Sequence, residues 1–152
     1  MAAGCAAFRS APLDVPPGHQ AVLGEVIVRG FSVRSVVLDI VREDGGYRHE
    51  LPVDAGRSQF VLTLPPGRYQ IARLRINDSG RTVPDEAWFQ VGVGFEVGGA
   101  AAYLGTLQIK RVAFARQLRI AVQDEYDRTV PAMRARHPDL PPVVVRALMR
   151  PA

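Results

Sequence analysis

The chain has 152 residues, 47% of them apolar and 22% charged, which is the composition of one globular domain able to bury its own core rather than of a disordered chain. Its formal net charge of +4 is carried almost wholly by arginine, since Lys110 is the only lysine, and a single cysteine excludes an internal disulfide. Arg29, Arg34, Arg42, Arg57, Arg68, Arg81, Arg111 and Arg128 fall in separate segments. Nucleic-acid readers concentrate charge on one face, so the expectation is no nucleic-acid partner. No apolar run reaches the roughly 18 residues of a membrane-spanning helix.

Residues 1–19 read as an N-terminal tether. Ala3-Gly4-Cys5 is similar to the end of a bacterial lipoprotein signal, in which small residues precede a cysteine that carries lipid. Only four residues precede Cys5, where a complete signal has a basic segment and then an apolar one. Two readings stand: a start upstream of Met1 with Cys5 as the lipid attachment, or a chance triplet with an inert thiol. The Pro-rich stretch Ser10 to His19 suits a flexible link between membrane and domain. The resemblance implies the cell envelope, with Ala6 in the second mature position pointing to the periplasmic face of the outer membrane. The membrane is then reached by the lipid anchor alone, without a transmembrane span.

From residue 20 to 152 the pattern predicts a β-sandwich domain. Val22, Gly24, Val26 and Val28 alternate with Leu23, Glu25, Ile27 and Arg29, a period of two. Val36, Leu38 and Ile40 share a face, with Asp39 pointing the other way. Glu43-Asp44-Gly45-Gly46 has the glycines of a tight hairpin, answered by Tyr47, His49, Leu51 and Val53. A second turn at Asp54-Ala55-Gly56 leads to Phe60, Leu62 and Leu64. Pro66-Gly67 suits the centre of a type II turn, followed by Tyr69 and Ile71. Leu74 and Ile76 then fall on the opposite phase, which predicts a β-bulge near Ala72 or Arg73. Phe89, Val91, Val93, Phe95 and Val97 form another strand face, followed by Tyr103, Leu107 and Ile109, then Leu118, Ile120 and Val122. About 8–9 strands imply an all-β fold of two antiparallel sheets.

The segment 124–137 predicts a short C-terminal helix. Asp124 would cap it through the Asp127 amide, with Tyr126, Val130 and Met133 as its apolar stripe. Pro131 should shorten or kink it. Val143 to Met149 reads as an apolar tail that docks on the sandwich.

Leu64-Pro65-Pro66-Gly67-Arg68-Tyr69, with apolar strands on both sides, resembles the carboxypeptidase regulatory-like, or transthyretin-like, β-sandwich. The stretch Phe95 to Gly99 running into Tyr103 to Leu107 resembles a pattern in uncharacterised bacterial lipoproteins with this sandwich. The similarity covers residues 20 to 124. It implies that Tyr69 packs into the core, and it carries no fixed activity.

Motifs for chemistry are few. His19, His49 and His137 form no metal-binding spacing, so the expectation is no metal and no cofactor. His49, Asp54 and Ser58 compose a possible hydrolytic set without a nucleophile elbow, ranked last. Gly92-Val93-Gly94 and Gly98-Gly99 are followed by strand, unlike a dinucleotide loop. Asp124, Glu125 and Asp127 lack calcium-loop spacing, and helix capping accounts for them. Trp88, beside the Asn77–Gly80 loop, is the candidate partner contact. The function expected is a non-enzymatic envelope module that binds or scaffolds a protein or glycan. The alternative is a soluble carbohydrate- or ligand-binding domain that uses loops at one end of the sandwich.

Overall fold

The computed structural model describes residues 12–31, 34–77, 88–112 and 117–152. In chain order these form β1 (Gln20–Arg29), β2 (Ser35–Arg42), β3 (Arg48–Asp54), β4 (Gly56–Leu64), β5 (Gly67–Asn77), β6 (Trp88–Val97), β7 (Ala101–Arg111) and β8 (Leu118–Gln123). Helix α1 (Tyr126–Arg136) and two short strands, β9 (Val144–Arg146) and β10 (Arg150–Pro151), follow. Sheet A runs β4-β1-β7-β8 with β9 also on β7, and sheet B runs β10-β6-β5-β2-β3. The all-β two-sheet sandwich with a short helix is therefore present. Not every pairing is antiparallel, however: β1 and β9 both run parallel to β7. A parallel pair needs a crossover, and β1 reaches β7 only after the chain has built most of sheet B.

The alternation of β2, β5 and β6 explains the main core. Val36, Leu38, Ile40, Tyr69, Ile71, Leu74, Phe89, Val93 and Phe95 point inward against Val22, Val26, Val28, Phe60, Leu62 and Leu107. The phase slip in β5 is a bulge: register shifts between Ile71 and Arg73 against β6, and β2 shifts opposite the same point. Tyr69 is fully buried, stacked on Phe95 at 5.4 Å, and its hydroxyl donates to the Pro65 carbonyl at 2.5 Å.

Two turns carry the chain from one sheet to the other. β4 lies in sheet A and β5 in sheet B, so Pro65-Pro66-Gly67 is a corner between sheets and not a hairpin. Gly67 has φ +153°, far from the roughly +80° of a type II turn, and an added Cβ would meet Arg42 Cδ at 2.7 Å. Asp54-Ala55-Gly56 likewise carries the chain from sheet B to sheet A, with Gly56 at φ +88°.

The outer face of sheet A is closed by α1 and the segment after it. Leu23, Ala21, Ala101 and Tyr103 pack there against Val130, Met133, Leu140 and Val144. The helix runs five residues beyond Pro131 without ending. Past β9 the chain stays hydrogen-bonded to sheet A through the Ala147 and Met149 amides, then pairs with β6 of sheet B. Met149 enters the main core at 3% exposure, so this segment joins the two sheets across one end of the sandwich.

Candidate functional site

Two charged constellations stand out, one on the outer face of each sheet. The first lies between sheet A and α1. Glu25, in the middle of β1, is fully buried. Its strand neighbours across the sheet are Gln59 of β4 and Thr106 of β7, which sets a polar row inside an otherwise apolar face. The Glu25 carboxylate accepts from Arg57 Nη1, from Arg128 Nη2 at 3.1 Å, from Gln59 Nε2 at 3.2 Å and from Thr129 Oγ1 at 3.4 Å. Glu125 joins the same arginines and accepts from Thr106 Oγ1 at 2.5 Å and Arg128 Nη2 at 2.7 Å. Its own amide donates to the Tyr103 hydroxyl at 2.8 Å.

Two carboxylates and two guanidiniums thus balance beneath the helix. Burial works to raise the Glu25 carboxyl, but the bonds from Arg57, Gln59 and Arg128 outweigh it and hold the group below the usual range. The Thr106 hydroxyl, with Arg128 and Arg57, lowers Glu125 to about 2. Both groups stay ionised near neutral pH and are held by several donors, so this network fastens α1 to the sheet.

The second constellation lies on the outer face of sheet B. Cross-strand register places Pro52, Val37, Arg75 and Trp88 in one row and Glu50, Asp39, Arg73 and Gln90 in the next. Asp39 is only 1% exposed. Its Oδ2 accepts from Arg73 Nε at 2.8 Å and from Arg48 Nη2 at 3.0 Å. Arg75 Nη2 donates to Glu50 Oε2 at 2.6 Å. The Arg73 guanidinium lies 3.7 Å from the centre of the half-buried Trp88 ring, a close cation–π contact. Asp39 Oδ1 is the one buried side-chain oxygen or nitrogen without a hydrogen-bond partner among the described residues.

The residues singled out in the sequence fare differently. Trp88 is the first residue of β6, on the outer face of sheet B, and the loop before it, residues 78–87, lies outside the described residues, as does Cys5. His49 and Asp54 sit five residues apart on one extended strand, a span of roughly 16 Å. Ser58 Oγ reaches only the Asp54 backbone carbonyl, at 3.5 Å, so the three do not converge. Asp124 does not cap through Asp127: its Oδ1 accepts from the Tyr126 amide at 3.1 Å, and its Oδ2 meets Arg146 Nε at 3.1 Å. Asp127 also turns to Arg146, at 3.5 Å. Among the described residues no group of three or more His, Cys, Asp or Glu side chains is arranged to hold a metal. No described helix is long and apolar enough to cross a membrane, which says nothing of strands.

Sequence reading passed over Glu25, Asp39 and the arginines that meet them. Glu25 had a signal: it is an acid set among Leu23, Val26 and Ile27, in a strand apolar on both faces. Among the described residues, two of the open concavities are lined by several charged or polar side chains. One of about 690 Å³ lies between β3 and β4 around Asp54, Ser58 and Phe60. Another, of about 600 Å³, is edged by Glu43, Arg68, Glu96, Arg146 and Arg150 beside the C-terminal segment. Neither contains a buried unpartnered group, and so the outer face of sheet B is the stronger candidate for a recognition surface. Compared with known proteins, the chain matches no protein-family model, no curated protein and no solved structure.

Proposed function

We propose that the protein is a non-enzymatic binding or scaffolding module of the bacterial cell envelope, which engages a protein or glycan through the outer face of sheet B. One observation carries the reading: the two sheets are covered unequally. Helix α1 and the segment after it bury the outer face of sheet A. Sheet B instead presents Trp88 and three arginines that pair with Asp39 and Glu50. Tryptophan and arginine dominate the energetics of protein recognition, because each offers a large planar surface with fixed donors. The envelope assignment draws on the resemblance of Ala3-Gly4-Cys5 to a lipoprotein signal, with Cys5 as the lipid attachment. Since Trp88 belongs to the sheet, the contact surface in this reading is a flat face and not a loop cluster.

Two measurements test the proposal. A photo-crosslinking side chain at Gln90, exposed on the outer face of sheet B, is expected to give a discrete envelope adduct in living cells. The same group at Arg119, on β8 of sheet A, is expected to give none. Equal labelling from both positions, or from neither, refutes the face assignment. With the native upstream frame retained, a clickable fatty acid should label the wild type and not Cys5→Ser. Equal labelling of the two refutes the anchor.

A further inference from the structure

The geometry points to an acidic saccharide as the ligand of sheet B, held at a subsite made by Asp39, Arg48 and Arg73; this rests on the binding reading above. The central observation is the unpartnered Asp39 Oδ1. A buried carboxylate oxygen without a donor is costly, and native proteins rarely leave one so. The missing partner must be a donor, because an ionised carboxylate only accepts. The arginines beside it have the opposite requirement. Arg73 uses Nε, and Arg48 one Nη2, on Asp39 Oδ2, and their remaining N–H groups, on side chains 40% and 53% exposed, are open to an acceptor from a ligand.

A ligand that satisfies both carries a hydroxyl next to an anionic oxygen, as a uronic acid residue does. An acidic peptide side chain supplies only the acceptor. A neutral sugar supplies hydroxyls but leaves charge uncompensated, since among the described residues Arg48, Arg73 and Arg75 pair with two carboxylates, Asp39 and Glu50.

The two arginines contribute differently. Arg73 is fixed by its bond to Asp39 and its contact with Trp88, so its planar fork is set before any ligand arrives. Arg48 is 53% exposed and meets Asp39 from the neighbouring strand β3. Turning away from Oδ2, its guanidinium follows the ligand's acid group and frees the Asp39 carboxylate to accept from a ligand hydroxyl. The site therefore exchanges one internal ion-pair contact for two hydrogen bonds to the saccharide.

The test is a titration of isotope-labelled protein, following the Arg73 Nε–H and Trp88 indole signals by NMR. Tetragalacturonate is expected to shift both signals saturably. Cellotetraose, sodium acetate and hexaglutamate are each expected to bind at least about tenfold more weakly, the loss that follows removal of one charge-assisted hydrogen bond. Arg48→Gln, at an exposed tip, should lose about tenfold with an unchanged circular dichroism spectrum. Asp39→Asn should lose a similar factor.

No saturable shift up to about 10 mM tetragalacturonate overturns the inference. So does equal binding of acetate or hexaglutamate, and so does full affinity in Arg48→Gln. A failed titration with a surviving Gln90 adduct ends the saccharide assignment and leaves the binding module standing. Failure of both ends both.

Discussion

Glu25→Gln tests whether the charged network beneath α1 holds the helix in place. The substitution keeps the size of the side chain and removes its charge. The wild-type carboxylate accepts from Arg57, Arg128, Gln59 and Thr129, while an amide offers a single acceptor oxygen. Hydrogen bonds to a charged group contribute about 1.5–3 kcal/mol each in buried settings. Here the Arg57 and Arg128 side chains are 43% and 50% exposed and both keep Glu125, so water and the second carboxylate recover much of the loss. The neutral amide also avoids the desolvation penalty that Glu25 carries at full burial. The net expectation is a destabilisation of about 2–3 kcal/mol, read as the shift in urea midpoint by circular dichroism at neutral pH.

The same reasoning predicts a compensation. Glu25→Leu alone sets the two guanidiniums against an apolar side chain with Glu125 as their one carboxylate, whereas adding Arg57→Met and Arg128→Leu replaces them by apolar groups and leaves the partly exposed Glu125 on Thr106. The triple variant should therefore be more stable than the single one. A Glu25→Gln loss below about 0.5 kcal/mol, or a triple variant weaker than Glu25→Leu, refutes the account.

Three further predictions follow from the packing and the titration. The lowered Glu125 contributes stability that is present above its unfolded pKa near 4.5 and is lost as pH falls through about 2. After allowance for solvent screening this is on the order of 1 kcal/mol, and acid unfolding of Glu125→Gln should lack it. Gly24→Ala would place a Cβ at 2.8 Å from the Gly105 carbonyl oxygen and 2.9 Å from Phe60 Cζ. The overpacked core should cost about 1–3 kcal/mol, and an unchanged melting temperature counts against this packing. Tyr69→Phe removes the hydroxyl bond to Pro65 at the corner between the sheets. It should cost about 1 kcal/mol in urea unfolding, and a neutral result contradicts that role.

The strands were legible because apolar alternation is a local signal. Phe89 to Val97 alternates strictly and forms β6 with those five side chains buried. The phase slip before Leu74 gave the position of the bulge. What escaped was set by contacts distant in sequence. Glu25 meets Arg128 and Thr129 more than 100 residues on, so β1 by itself marks an acid among apolar neighbours without naming its partners. Asp39 looked like a surface residue for the same reason, since Arg73 arrives 34 residues later. Pro66-Gly67 reads as a type II turn locally because nothing in those two residues encodes that the chain leaves sheet A for sheet B there. Trp88 carried no local sign of its stacking partner: Arg73 comes from the neighbouring strand, in a register that the bulge at Ala72 creates.

The parallel pairing of β1 with β7 has a consequence for the order of folding. Sheet B holds two pairs of near neighbours in sequence, β2 with β3 and β5 with β6. The centre of sheet A joins Val22 to Ala102 and Val28 to Ile109, some eighty residues apart. Closing so long a loop is entropically costly and slow, so the two hairpins of sheet B should gain protection first. β1 then waits, with both of its apolar faces uncovered, until β7 arrives. Pulse-labelled hydrogen exchange during refolding should protect the Leu38 and Phe89 amides before those of Leu23 and Val26. Simultaneous protection of all four would argue against this sequence of events. Until β7 docks, β1 is the segment most exposed to aggregation, and a chaperone would protect it to greatest effect.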